Sequence, residues 1–144
     1  MQSKPGLLFG KISSAEAHTP EVGEVLSLCI YNGNDPARRA AALAIYDDPN
    51  NWLLGVKLDG RLVALAGLRP MGSDIEIRHL AVLPGQRSLG IGRRLVEVLR
   101  AQSPGRKLRA ETDKDAVGFY EKCGFTCRSL GEKYPGTERF ECTG

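Results

Sequence analysis

The segment Leu80-Ala81-Val82-Leu83-Pro84-Gly85-Gln86-Arg87-Ser88-Leu89-Gly90-Ile91-Gly92-Arg93-Arg94 constrains the fold more than any other stretch of the chain. An apolar run breaks at proline and glycine, and further glycines lead straight into a basic helical pattern. It reads as strand, turn and helix in immediate succession. Ile91, Leu95, Val98 and Leu99 form the stripe expected to be buried, with Arg93, Arg94, Glu97 and Arg100 facing away. The first amides of such a helix lack internal partners and carry about half a positive charge, so they offer an anion, a diphosphate above all, a ready site. Gly90 and Gly92 have no Cβ to obstruct an approach, and Arg87 and Arg93 add charge that a phosphate can bond. A bare G-x-G is also an ordinary structural turn. The dinucleotide fingerprint G-x-G-x-x-G/A is broken here by Leu95.

The remaining pattern surrounds this unit with strands and helices. Leu7 to Ile12 reads as a first strand, and about Ala15 to Tyr31 as helix. Asn34-Asp35-Pro36 is a capping signal for a helix over Ala37 to Tyr46. From Trp52 the period becomes two, with Trp52, Leu54, Val56 and Leu58 on one face, and Asp59-Gly60 is a tight hairpin turn. Leu62 to Leu68 is apolar throughout, the mark of a central strand covered on both faces. Ile75 to Leu83 is a longer strand, Lys107 to Glu111 another, and Asp113 to Cys123 a short helix closed by Gly124. Phe125 to Cys127 and Lys133 to Cys142 complete the strands. The architecture expected is a mostly antiparallel sheet with helices on both faces and one strand–helix–strand crossover near residues 75–111.

Length and composition narrow the function. A chain of 144 residues, 42% hydrophobic and 26% charged, has room for one domain spanning 1–144. A formal charge of +3 is too small and dispersed to argue for nucleic acid. No apolar run approaches the ~20 residues needed to cross a bilayer, so no membrane partner is expected. Met1-Gln2-Ser3-Lys4-Pro5 lacks a basic region followed by an apolar stretch, and a cytoplasmic location is expected. The four cysteines, Cys29, Cys123, Cys127 and Cys142, form no C-x-x-C pair, and His18 and His79 lie far apart. Reduced interior thiols and no metal are the reading.

Two motifs together carry a family resemblance. Arg87-Ser88-Leu89-Gly90-Ile91-Gly92 is similar to the Q/R-x-x-G-x-G/A acyl-coenzyme A signature of the GNAT N-acetyltransferase superfamily. Asp113-Lys114-Asp115-Ala116-Val117-Gly118-Phe119-Tyr120, followed by Gly124-Phe125, resembles that family's second coenzyme A segment. The resemblance is strongest over 52–128 and implies a GNAT-like mixed α/β (α+β) fold with six to seven strands. It implies acetyl-CoA as co-substrate, lying along Leu80, Ala81 and Val82, over Arg87, Ser88, Leu89, Gly90, Ile91, Gly92 and Arg93, and against Asp113 and Phe119. The family's fourth strand splays from its neighbour, which would leave Leu80 and Val82 to offer backbone groups to the pantetheine amides. Glu76 to Leu83 spans about 23 Å of strand, the scale of an extended pantetheine arm.

The resemblance also supplies catalytic candidates. Glu76 falls where many members place a general base. Deprotonating an alkyl amine of pKa ~10.4 at pH 7 costs about 4–5 kcal/mol, which is the barrier such a carboxylate addresses. By pattern alone, Glu76 and Arg78 share a solvated face opposite Ile75 and Ile77. Tyr120 matches the tyrosine that protonates the departing thiolate; by pattern alone it is an aromatic packed beside Phe119. Asp113 stands where many relatives carry Asn and would keep the helix cap while losing an amide donor. His79 has strand parity opposite to Glu76 and reads as a buried, satisfied histidine. Trp52 and Tyr46-Asp47-Asp48 read as core and loop, although the resemblance implies that this region often lines the acceptor pocket.

The expected activity is acetyl transfer from acetyl-CoA to a primary amine, on a small molecule or peptide, by direct attack in a ternary complex. A catalytically silent coenzyme A-binding module and a transferase of longer acyl groups are the alternatives. Monomer and homodimer both remain open.

Overall fold

The structure, a computed structural model, describes residues 6–144 apart from the side chains of Arg87, Ser88, Lys133 and Tyr134. Strand β1 (Leu7–Ile12) leads into helices α1 (Ser14–Ala17), α2 (Pro20–Ser27) and α3 (Pro36–Ala44). Strands β2 (Trp52–Leu58), β3 (Arg61–Met71) and β4 (Asp74–Val82) follow, then α4 (Ile91–Gln102), β5 (Leu108–Asp113), α5 (Val117–Lys122), β6 (Thr126–Tyr134) and β7 (Thr137–Thr143).

The sequence explains most of these boundaries. Asp59 and Gly60 both take positive φ, 50° and 84°, as the turn between β2 and β3 requires. Asp35 accepts from the amide of Ala37, and Pro36 fills the first turn of α3, where no amide is needed. The helix expected over about 15–31 is instead split into α1 and α2. Pro20 cannot donate, and it disfavours helical backbone at Thr19, so the chain restarts there. Gly124, at φ 90°, closes α5. In the last hairpin β6 runs on to Tyr134, so Lys133, expected to open the final strand, belongs to β6 instead, with register breaks between Ser129 and Gly131 and between Glu132 and Tyr134.

Among the described residues the strands form one sheet in the order β1-β2-β3-β4-β5-β7-β6. All neighbours are antiparallel except β4 and β5, which α4 joins as a crossover. The sheet is thus mixed but mostly antiparallel, with helices on both faces. One face packs on α4 and α5 through Leu54, Val56, Leu68, Ile75, Ile91, Leu95, Leu99 and Leu108. The other carries α2 and α3 through Val22, Val25, Leu26, Leu53 and Leu65. Leucines this completely enclosed contribute about 1.5–3 kcal/mol each. On α4, Val96 joins the buried stripe, and Val98 is only half-buried.

Two expectations change. Cys127 and Cys142 face each other across β6 and β7 with Cα atoms 4.1 Å apart and form a disulfide. Spacing rules look for close sequence pairs and miss a pairing that strand register creates. Of the other two, Cys123 is buried and Cys29 lies at the surface. The second change concerns β4. Gly67 pairs with His79 but Leu68 with Ile77, so Arg78 is an extra residue, a β-bulge. The bulge inverts the alternation. Ile75 and Ile77, then Leu80 and Val82, face the α4–α5 layer, and Ala81 joins the α2–α3 layer. His79 therefore shares a face with Glu76, contrary to the parity expected of an unbroken strand. No helix among the described residues is long and apolar enough to cross a membrane.

Candidate active site

The bulge coincides with a parting of the sheet. β4 and β5 pair only at Ile75–Leu108 and Glu76–Arg109, and beyond that they diverge. The gap opens a cleft of about 780 Å³, walled by Ile77 to Val82 on one side and by Thr112, Asp113, Phe119 and Tyr120 on the other. Ile75 N donates to Lys107 on the β5 side, and Leu83 N to Val63 on the β3 side. Counting back through the bulge, the Leu80 and Val82 amides fall on the cleft side.

At the cleft mouth the chain turns through a 3₁₀ segment, Pro84–Leu89, into α4. Gly90 has left-handed backbone, φ 67° and ψ 24°, and among the described residues no side chain caps the helix. A Cβ on Gly90 would meet no atom of the described residues within 4 Å. Gly92 differs: a Cβ there would lie 3.1 Å from the Phe119 ring, so its glycine lets α4 and α5 close together. Gly90, Gly92 and Arg93 line the cleft. Ile91 is fully buried, leaving only its backbone to face a ligand, and the Leu89 side chain is exposed. The Arg87 and Ser88 side chains lie outside the described residues.

Asp113 ends β5 rather than starting a helix. Its Oδ1 accepts from the amides of Asp115 and Ala116, both at 3.0 Å, and this shapes the turn into α5. Tyr120 on α5 is 6% exposed and packs edge-to-face on Phe119 and Phe125, each 5.2 Å away. Burial pushes its phenol above the ordinary tyrosine range, so it keeps its proton.

Glu76 is placed differently. Its Oε1 lies 3.0 Å from Arg69 Nη2 and 3.6 Å from Arg78 Nε, contacts that are ionic but lack hydrogen-bond geometry. It does not line the cleft, whereas Arg78 and His79 do.

Of two residues that sequence reasoning left in the core, His79 lines the cleft and Tyr46 bonds it from behind. Tyr46, in the 3₁₀ turn after α3, lies with its hydroxyl 2.5 Å from His79 Nδ1. A Cβ on Gly67 would overlap the Tyr46 hydroxyl, so a glycine in the middle of an apolar strand makes room for the pair. Besides the family resemblance of the 46–48 corner, that glycine was the signal in the sequence. Burial first, and Arg78 second, push the His79 imidazole down to about 4. Burial raises the Tyr46 phenol. The Cys29 residue is exposed, yet its thiol turns inward, donates to Leu26 O at 3.3 Å and is pushed up to about 11 by burial, partly offset by the Leu80 amide.

The cleft can hold an elongated ligand with an anionic end at the glycine turn and its reactive end toward Tyr120 and His79. The sequence model of the Acetyltransferase (GNAT) family matches residues 19–125. A GNAT family acetyltransferase from Elizabethkingia anophelis with acetyl-CoA bound is 22% identical, over 97% of this chain and 98% of its own, with a TM-score of 0.69. The aminoglycoside 6'-N-acetyltransferase from Enterococcus faecium is 18% identical over 95% and 96%, TM-score 0.73. The ribosomal-protein-S18-alanine N-acetyltransferase from Escherichia coli is 17% identical over 95% and 92%, TM-score 0.75. At these identities the likeness is one of fold. No curated protein matches the chain in sequence.

Proposed function

Since the chain belongs to the GNAT acetyltransferase family, we propose that it moves an acetyl group from acetyl-CoA to a primary amine by direct attack in a ternary complex. A single transferase domain over 1–144 does this. The observation that carries the reading is the splayed cleft, with a strand edge along one wall and a glycine turn at its mouth.

The amides of residues 90–93 would bond the diphosphate, because they stand at the positive, N-terminal end of α4. Leu80 and Val82 would bond the pantetheine amides. That leaves the thioester at the narrow end of the splay, near Tyr120. The amine nitrogen adds its lone pair to the thioester carbon. The carbonyl pair moves to oxygen and returns as the C–S bond breaks, and the sulfur takes the Tyr120 proton. The adduct nitrogen sheds one proton. Glu76 can receive it only through water, since two guanidinium groups engage its carboxylate away from the cleft lining. Arg78 is thereby held at the rim.

The acceptor is a primary amine on a small molecule or peptide. An aminoglycoside and an alanine of ribosomal protein S18 are named for two structural neighbours, so the fold is compatible with both sizes. Calorimetric titration with acetyl-CoA, paired with thiol release across an amine panel, tests the reading. Micromolar binding and turnover of at least one amine are expected. No binding would overturn it, and binding without any turnover would leave a silent coenzyme A-binding module in its place.

A further inference from the structure

The Tyr46–His79 pair is built by three separate elements. The bulge at Arg78 turns His79 to the cleft, Gly67 clears the volume for the tyrosine hydroxyl, and the turn after α3 delivers Tyr46. The two rings are tilted at 60° with the hydroxyl on Nδ1. Nε2 has no hydrogen-bond partner among the described residues, and His79 lines the cleft.

Which partner donates follows from the acidities. Burial keeps the phenol protonated and the imidazole neutral. A phenol is a stronger acid than a neutral imidazole, so its O–H donates to Nδ1 and the ring proton resides on Nε2. This Nε2–H belongs to the residue next to Leu80, at the end of the splay opposite the glycine turn. From Val82 to His79 is three strand steps, about 10 Å, which is the direction in which the pantetheine arm would run. His79 and Tyr120 both line the cleft, together with Cys29, and Tyr46 stands behind His79.

We propose that His79, held as its Nε2–H tautomer by Tyr46, donates a hydrogen bond to the thioester carbonyl oxygen of acetyl-CoA and stabilises the charge that develops there. This rests on the acetyl-transfer reading above. When the amine lone pair forms the new C–N bond, the carbonyl π pair moves onto oxygen, and Nε2–H lies against that oxyanion. The pair then returns and expels the thiolate, which Tyr120 protonates. The adduct nitrogen releases one proton to solvent, and Tyr120 recovers one from the same pool. His79 changes charge at no stage. Tyr46 is a positioning residue that fixes the tautomer.

The test has two arms. In ¹⁵N-labelled protein saturated with acetyl-CoA, with His18→Gln removing the other histidine, long-range ¹H–¹⁵N correlation reads the ring. A protonated Nε2 and bare Nδ1 are expected, and Tyr46→Phe should lose that preference. The opposite tautomer, or one that survives in Tyr46→Phe, overturns the proposal. In the second arm thiol release is followed with n-butylamine as the acceptor probe. His79→Ala should lower kcat about 10²–10³-fold while the KM for acetyl-CoA stays within about twofold. His79→Gln, whose amide N–H falls near the place of Nε2–H but cannot act as a base, should recover at least tenfold of the loss. Equal rates for both variants, with circular dichroism showing both folded, overturn it. A wild-type protein that binds no acetyl-CoA and releases no thiol with any amine fails the transfer reading itself and the carbonyl contact with it, and the tautomer read in ligand-free protein then still decides what Tyr46 does to His79.

Discussion

At Tyr120 one hydroxyl separates two roles that share the same packing. The ring is enclosed by Phe119 and Phe125, so Tyr120→Phe keeps the aromatic contacts and removes only the proton donor. Its kcat should fall about 10²-fold or more, with acetyl-CoA affinity in calorimetry unchanged. Glu76→Gln should slow turnover by less than Tyr120→Phe, because Glu76 is off the cleft lining and tied to Arg69 and Arg78. A larger loss at Glu76 would return it to the role of base. Gly67→Ala pushes a methyl into the Tyr46 hydroxyl, and overpacking of this kind costs about 1–3 kcal/mol. Urea unfolding should show that loss, and the His79 ring signals should shift with it.

Among the elements, α4 and the turn before it combine stability with binding, and the two can be separated by mutation. Leu95 is wholly enclosed, so Leu95→Ala should cost about 2–5 kcal/mol in chemical unfolding yet spare acetyl-CoA affinity in what remains folded. Gly90→Val does the reverse. Its left-handed backbone costs a branched residue about 1–2 kcal/mol, and the new side chain stands over the amides a diphosphate needs. Its acetyl-CoA affinity should fall at least tenfold by calorimetry. This turn was readable from the chain because proline, glycine and an apolar stripe each act locally. So were Asp59-Gly60 and the cap at Asp35. The bulge at Arg78 was not readable, since Ile75 to Leu83 alternates acceptably in either register and only pairing with Gly67 and Leu68 decides it. That one extra residue hid His79, and with it Tyr46, behind a parity argument sound only for an unbroken strand. The division of α1 from α2 was foreshadowed by Pro20, and the Cys127–Cys142 pair had no local signal at all.

For the molecule as a whole, two features couple the site and its margin to solution conditions. His79 is held neutral down to about pH 4, against an ordinary value near 6.5. The unfolded chain therefore takes up a proton that the folded one refuses between those values. Its contribution to stability is complete above about pH 6.5 and is lost progressively as pH falls toward 4, up to about 3 kcal/mol. Wild type should lose more stability over that window than His79→Gln in paired urea titrations; parallel curves would contradict the depressed imidazole. The Cys127–Cys142 bridge joins β6 to β7 across 15 residues of chain, a closure worth about 3 kcal/mol in the chain-entropy account. Thiol titration of unfolded, unreduced protein should count two free cysteines, and reductant should lower the unfolding midpoint.

The most direct trial of the central claim is a crystal structure grown with excess coenzyme A. The diphosphate is expected on the amides of residues 90–93, the pantetheine arm along Leu80 and Val82, and the sulfur between Tyr120 and His79. Coenzyme A bound elsewhere, with the glycine turn and the splay between β4 and β5 empty, would contradict it.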